Sequence, residues 1–161
     1  MTRTRGTKSP SMNYEDAIRR LSAPSTWCEA ARALALNGDR RALIPLLEAY
    51  ESPIEGGKRC LLEAMEELGA KDGAAELYKQ GDARQRSNAV RLMELFGSDQ
   101  NLPTLMRALS DEAVGVRVQA RRAIVNQEWT KAWEAAMMQL LDSKDPETRR
   151  IARESLQRRN A

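Results

Sequence analysis

Residues 145–156 read DPETRRIARESL. Asp145, Pro146 and Glu147 together spell a helix start: a side-chain cap, a ring preset for the first helical position, and an acid in the first turn. Past that start, Ala152, Ser155 and Leu156 fall at i, i+3 and i+4, one stripe on a helix. The stripe recurs upstream. It is Ala30, Ala33 and Leu34 in TWCEAARALAL (26–36), then Leu61, Ala64 and Met65 in GKRCLLEAMEEL (57–68). It returns as Ala89, Leu92 and Met93 in RSNAVRLMELF (86–96), and as Ala120, Ala123 and Ile124 in VRVQARRAIVN (116–126). The steps between successive stripes are 31, 28, 31 and 32 residues. A period near thirty residues is the mark of stacked helical repeats.

Between these helices lie shorter apolar patterns that supply the other half of each repeat. They run through Tyr14, Ala17, Ile18 and Leu21, then Leu43, Leu46, Leu47 and Tyr50. A weaker set is Ala74, Leu77 and Tyr78; the last two are Leu102, Leu105, Met106 and Leu109, then Trp133, Met137, Leu140 and Leu141. Turn signals fall where helices must stop and restart: Asn37-Gly38-Asp39, Gly69, Gly81-Asp82 and Gly97-Ser98-Asp99. The expected fold is all-α, an α-solenoid of about five stacked antiparallel helix pairs over residues 13–161, preceded by a polar, basic tail over 1–12. Arg3, Arg5 and Lys8 in that tail read as solvated charge.

Composition agrees. Hydrophobic residues make up 42%, charged residues 30% and aromatic residues 4% of the 161-residue chain, so a core must come from Leu, Ala, Ile, Val and Met. The net charge of +3 is spread as +3 over residues 1–38, −3 over 39–80 and +3 over 81–161. A dedicated nucleic-acid binder carries a stronger, more continuous basic bias. Cys28 and Cys60 stand in no paired spacing and read as separate buried thiols inside helices rather than a disulfide or metal framework. With no apolar leader behind the basic N-terminus and no long apolar run, the expected compartment is the cytoplasm, with no membrane partner.

The register resembles the short HEAT-like repeats of the phycobilisome-lyase (PBS-lyase) type. Their second helix opens Asp-Pro-Glu-Val-Arg with Ala three residues after the Arg. Asp145-Pro146-Glu147-Thr148-Arg149 with Ala152 is close to this, and Asp111, Val116, Arg117 and Ala120 match with a short insertion. Arg86 and Ala89 match in the middle, whereas Trp27 and Lys58 stand where the first two repeats would have Arg. The resemblance implies that Arg86, Arg117 and Arg149 form a structural ladder. In such a ladder the long stem packs along a seam, and the guanidinium bonds helix-end carbonyls or a neighbour's capping Asp. It also brings in a chromophore-lyase-like or chaperone subunit as a possible role, though such repeats serve many functions.

Nothing in the sequence points to catalysis. The chain has no histidine, which removes the commonest general base and metal ligand. Gly56-Gly57-Lys58 lacks the preceding strand of a phosphate loop and reads as a turn. No metal set and no cofactor are expected. Trp129 and Trp133, at i and i+4, read as packing at a joint between repeats. Glu63 and Glu67 share a helix face as an acidic patch. Two positions past each stripe's first residue stand Arg32, Glu63, Arg91, Arg122 and Glu154, a row of mixed sign. A phosphate-tracking surface would exclude Glu, whereas mixed charge suits a protein partner. The expected function is therefore a non-enzymatic protein-binding adaptor or scaffold. Its candidate contacts are Arg91, Arg121, Arg122, Arg150, Arg153, Glu63 and Glu67. Nucleic-acid binding through the Arg-rich C-terminal repeats is the alternative.

Overall fold

The computed structural model describes residues 11–160, and among them there are ten α-helices and no strand. The basic tail, apart from its last two residues, lies outside the described residues. Where the sequence suggests one repeat domain, the chain divides into two compact units, the first ending at Leu68 and the second beginning at Gly69.

The first unit holds two helix pairs. α1 (Tyr14–Arg20) and α2 (Trp27–Asn37) form one, and α3 (Leu43–Tyr50) and α4 (Lys58–Glu67) the other. Partners within each pair pack on one another, and α2 packs on α4, so the second helices lie side by side. Ala30, Leu34, Leu46, Leu47, Leu61 and Met65 are all buried at this junction and beneath it. α1 spans only 7 residues, too short to persist alone in water. Fully burying a Leu or Met is worth roughly 1.5–3 kcal/mol, so packing of the stripe, not helix propensity, holds these short elements.

The second unit holds three pairs: α5 (Ala70–Gln80) with α6 (Ala83–Leu95), α7 (Leu102–Ala108) with α8 (Val114–Val125), and α9 (Lys131–Leu140) with α10 (Pro146–Asn160). α6, α8 and α10 follow one another as the row of second helices. The first position of the stripe is fully buried in every repeat: Ala30, Leu61, Ala89, Ala120 and Ala152. Where it is alanine, the small side chain lets packed helices approach closely.

Two features go beyond the sequence pattern. Short 3-10 turns, Pro24–Thr26, Arg40–Ala42 and Asp99–Asn101, lead into α2, α3 and α7. The second corrects the reading of the cysteines as separate thiols: Cys28 on α2 and Cys60 on α4 are joined in a disulfide, with their Cα atoms 5.0 Å apart. Their sequence separation of 32 is close to one repeat, so stacking brings them to the same level of adjacent second helices.

The caps behave as the turn residues demand. Gly38 closes α2 in the left-handed region, at φ 76°. Asp82 opens α6 with a reciprocal box: its carboxylate accepts from the Gln85 N–H at 2.9 Å, and the Gln85 side chain accepts from the Asp82 N–H at 2.9 Å. Asp82→Ala is expected to lower the stability of the second unit by about 1 kcal/mol in urea denaturation, with faster amide exchange confined to the first turn of α6.

Candidate functional site on the second helices

At four of the five second helices the opening turn has backbone carbonyls that accept from a side chain on the helix. Arg117 Nη1 donates to the Asp111 carbonyl at 2.7 Å and the Glu112 carbonyl at 3.0 Å. Arg149 Nη1 donates to the Ser143 carbonyl at 2.6 Å and the Lys144 carbonyl at 3.0 Å. Arg86 Nη1 donates to the Gly81 carbonyl at 3.2 Å. In the first repeat the buried Trp27 takes the position, and its indole Nε1 donates to the Leu21 carbonyl at 2.8 Å. Arg117, Arg149 and Trp27 each reach back six residues, so a guanidinium and an indole serve one purpose. Lys58 instead lies over the Tyr50 ring at 5.7 Å and pairs loosely with Glu55 at 3.9 Å.

Arg86 does more than its two counterparts. It forks onto Asp111 of the next repeat, Nε to Oδ2 and Nη2 to Oδ1, both at 2.9 Å, and reaches Glu112 at 3.1 Å. Asp111 also accepts from the Tyr78 hydroxyl at 2.6 Å and from the Ala113 N–H at 2.9 Å. One buried carboxylate thereby ties α5, α6 and the turn before α8. Burial by itself would raise the Asp111 pKa. The hydrogen bonds from Arg86, Tyr78 and Ala113, with the Arg86 charge, outweigh burial and hold it at about 2. Tyr78 is pushed the other way, to about 12, by burial and by its hydrogen bond to the Asp111 carboxylate.

The anticipated contact residues fall in both units. On the first, Glu63 is exposed and paired with Arg59 at 2.8 Å, and Glu67 is exposed on the same helix. On the second, Arg91 is half-buried and donates to Asn88 Oδ1 at 3.2 Å. Arg121 reaches Asp145 of the next repeat at 3.4 Å, while its Nε is buried without a hydrogen-bond acceptor. Arg122 is mostly exposed and pairs with Glu94 at 3.1 Å. Arg150 is held on its own helix by Glu147 and, at 2.7 Å, by Glu154. Arg153 is exposed.

Glu94 was not foreseen from the sequence. It accepts from Gln119 at 2.9 Å, Arg122 at 3.1 Å and Asn126 at 2.6 Å, joining α6 to α8. Its signal was available in the pattern: Gln119, Arg122 and Asn126 lie three and four apart, on one face of α8. In the last pair, Trp133 is buried with its indole donating to the Ile124 carbonyl at 2.9 Å. Trp129 packs against Trp133 in a tilted contact, ring centroids 4.2 Å apart and planes at 51°, and carries Arg159 over its ring at 4.7 Å.

Groups of three or more His, Cys, Asp or Glu arranged to hold a metal ion are absent among the described residues. Each resolved pKa shift there moves away from neutrality: Asp39, Asp111, Asp145 and Glu147 down, Tyr14 and Tyr78 up. Arg41, Arg86 and Arg150 move up as well.

The Asp111 site fixes a pH dependence. Its folded pKa lies below the unfolded value of 3.8, so its contribution is complete above about pH 4 and is lost as pH falls toward 2. Tyr78, raised from 10 to about 12, contributes below pH 10 and loses that contribution as pH rises toward 12. Urea denaturation of the second unit should show both limbs. Asp111→Asn should flatten the acid limb, which amounts to on the order of 2 kcal/mol. An acid limb unchanged in that variant would show that other carboxylates set it.

Residues 28–52 match the PBS lyase HEAT-like repeat family. The matched segment begins at Cys28 on α2 and runs through α3 to just beyond its end, in the part of the chain where the opening Arg is absent. Among curated proteins no similar relative was found. Among the described residues no helix is long and apolar enough to cross a membrane. Among the described residues the protein is all-helical, its helix pairs recur on a period near thirty residues, and residues 28–52 carry a HEAT-like repeat of the PBS-lyase type.

Proposed function

We propose that the protein is a non-enzymatic adaptor that holds another protein on the surface lined by its second helices. The observation that carries this is the pairing of the arginines there. Arg122 with Glu94, Arg121 with Asp145, and Arg150 with Glu147 and Glu154 make that face of the second unit a lattice of both signs. A nucleic-acid backbone is gripped by cations that exchange counterions for phosphates, and arginines already held by carboxylates serve that poorly. A protein partner with complementary charges reads such a lattice by position, gaining specificity and on-rate.

The absence of catalysis is part of the proposal. A general acid or base works best with a pKa near the operating pH. Here the strongly perturbed carboxylate and phenol, Asp111 and Tyr78, are locked to each other and to Arg86, and pushed to about 2 and about 12. Such groups stabilise a fold; they do not exchange protons near neutrality. The cytoplasmic placement expected from the sequence is retained as part of the proposal.

Arg122→Ala with Arg153→Glu should weaken binding to an affinity-captured, purified partner by at least about tenfold while the helical circular dichroism is retained. Unchanged binding would remove this surface from the function. Labelled duplex DNA, single-stranded DNA and RNA should show no anisotropy change with the wild-type protein at physiological salt. Micromolar binding that survives that salt would instead make the C-terminal repeats a nucleic-acid site.

A further inference from the structure

The disulfide is more open than a core staple. Cys28 and Cys60 are both only half-buried. They line a groove of about 60 Å³ between α2 and α4, together with Arg32, Glu63 and Glu67. A single water needs roughly 10–15 Å³ of such space, so water enters the groove that the two cysteines line. In the second unit, adjacent second helices are bridged without covalent bonds, by Arg86 with Asp111, by Gln119 and Arg122 with Glu94, and by Arg121 with Asp145. Between α2 and α4 the corresponding bridge is the sulfur–sulfur bond.

From this we infer that the Cys28–Cys60 pair is a thiol–disulfide exchange site, through which small dithiols open and close the seam between the first two repeats. A thiolate of the reductant attacks one cysteine sulfur. The sulfur–sulfur bond breaks, a mixed disulfide forms, and the other cysteine leaves as a thiolate and takes up a proton. The reductant's second thiol then displaces the remaining cysteine and departs as a cyclic disulfide. Two electrons and two protons pass to the pair. The apolar contacts of Ala30, Leu34, Leu61 and Met65 stay, so the helices persist while the seam loses its covalent tie. The reverse step needs a disulfide oxidant, so the redox poise of the surroundings sets the state; in a reducing compartment the pair rests as two thiols. The groove shares Glu63 and Glu67 with the proposed partner surface, but the exchange itself needs no bound partner.

The test uses the full chain without denaturant and dithiothreitol as the probe. The oxidised protein should take up no iodoacetamide. After dithiothreitol it should take up two equivalents, at Cys28 and Cys60, with its helical circular dichroism retained. Amide exchange in α2 and α4 should then rise by at least about tenfold, with α6, α8 and α10 unchanged. The double variant Cys28→Ser, Cys60→Ser should show the faster exchange from the start and ignore dithiothreitol; Cys28→Ala, Cys60→Ala should do the same if the hydroxyls disturb packing. Labelling that requires denaturant would overturn the proposal, as would unchanged exchange after reduction. So would loss of the first unit's helices on reduction, which would make the bond a structural staple and not a switch.

Discussion

Four of the five second helices begin at a turn whose carbonyls are met by a side-chain donor from the helix itself, and the packing that follows depends on that donor. At the arginines these bonds are part-buried or exposed, so each contributes on the order of 1 kcal/mol, still a sizeable share of the margin by which a small domain is folded. Arg117 and Arg149 meet the need with one guanidinium nitrogen bonded to two successive carbonyls. Trp27 meets it with an indole N–H and fills the remaining space with its ring, which lies against Gly57. Once the turn is fixed, the direction of the second helix is fixed, and its stripe of small and apolar residues meets the stripe of its neighbour.

Beyond that common device the two units join their repeats by different chemistry. In the second, Arg86 both satisfies the Gly81 carbonyl and crosses to Asp111, so one side chain sets the turn and the seam together. Asp111 is charged at neutral pH despite its burial, because the groups around it donate four hydrogen bonds to its oxygens. In the first unit no arginine stands at the helix start, and a disulfide links α2 to α4. The charged bridges respond to extremes of pH and the covalent one to redox conditions.

Most of the fold was legible because burial in a repeat is periodic. The small or apolar position recurring from Ala30 to Ala152 is buried throughout, and the first helices appear where their weaker apolar patterns lie, even at Ala74 and Tyr78. Local chemistry also showed through at the Asp82 and Asp145 caps, the latter accepting from the Thr148 N–H at 3.0 Å. What sequence reasoning missed are pairings between repeats. Cys28 and Cys60 looked unrelated because their 32-residue spacing matches no local motif; laid on the repeat period, it places them on neighbouring second helices. Tyr78 and Asp111, 33 residues apart, are paired across the same distance, which neither the apolar pattern holding Tyr78 nor the motif match holding Asp111 reveals. The 3-10 turns ahead of α2, α3 and α7 carry no apolar period, so periodicity is silent on them.

The most direct test of this account is the urea stability of Arg117→Met against wild type, followed by amide exchange at the start of α8. Methionine keeps an unbranched stem to pack along the seam but donates nothing, so only the bonds to the Asp111 and Glu112 carbonyls are removed. The account predicts a loss of about 1–1.5 kcal/mol, with exchange rising first in the turn before α8. A variant within about 0.5 kcal/mol of wild type would contradict it, because the ladder position would then act through its stem alone.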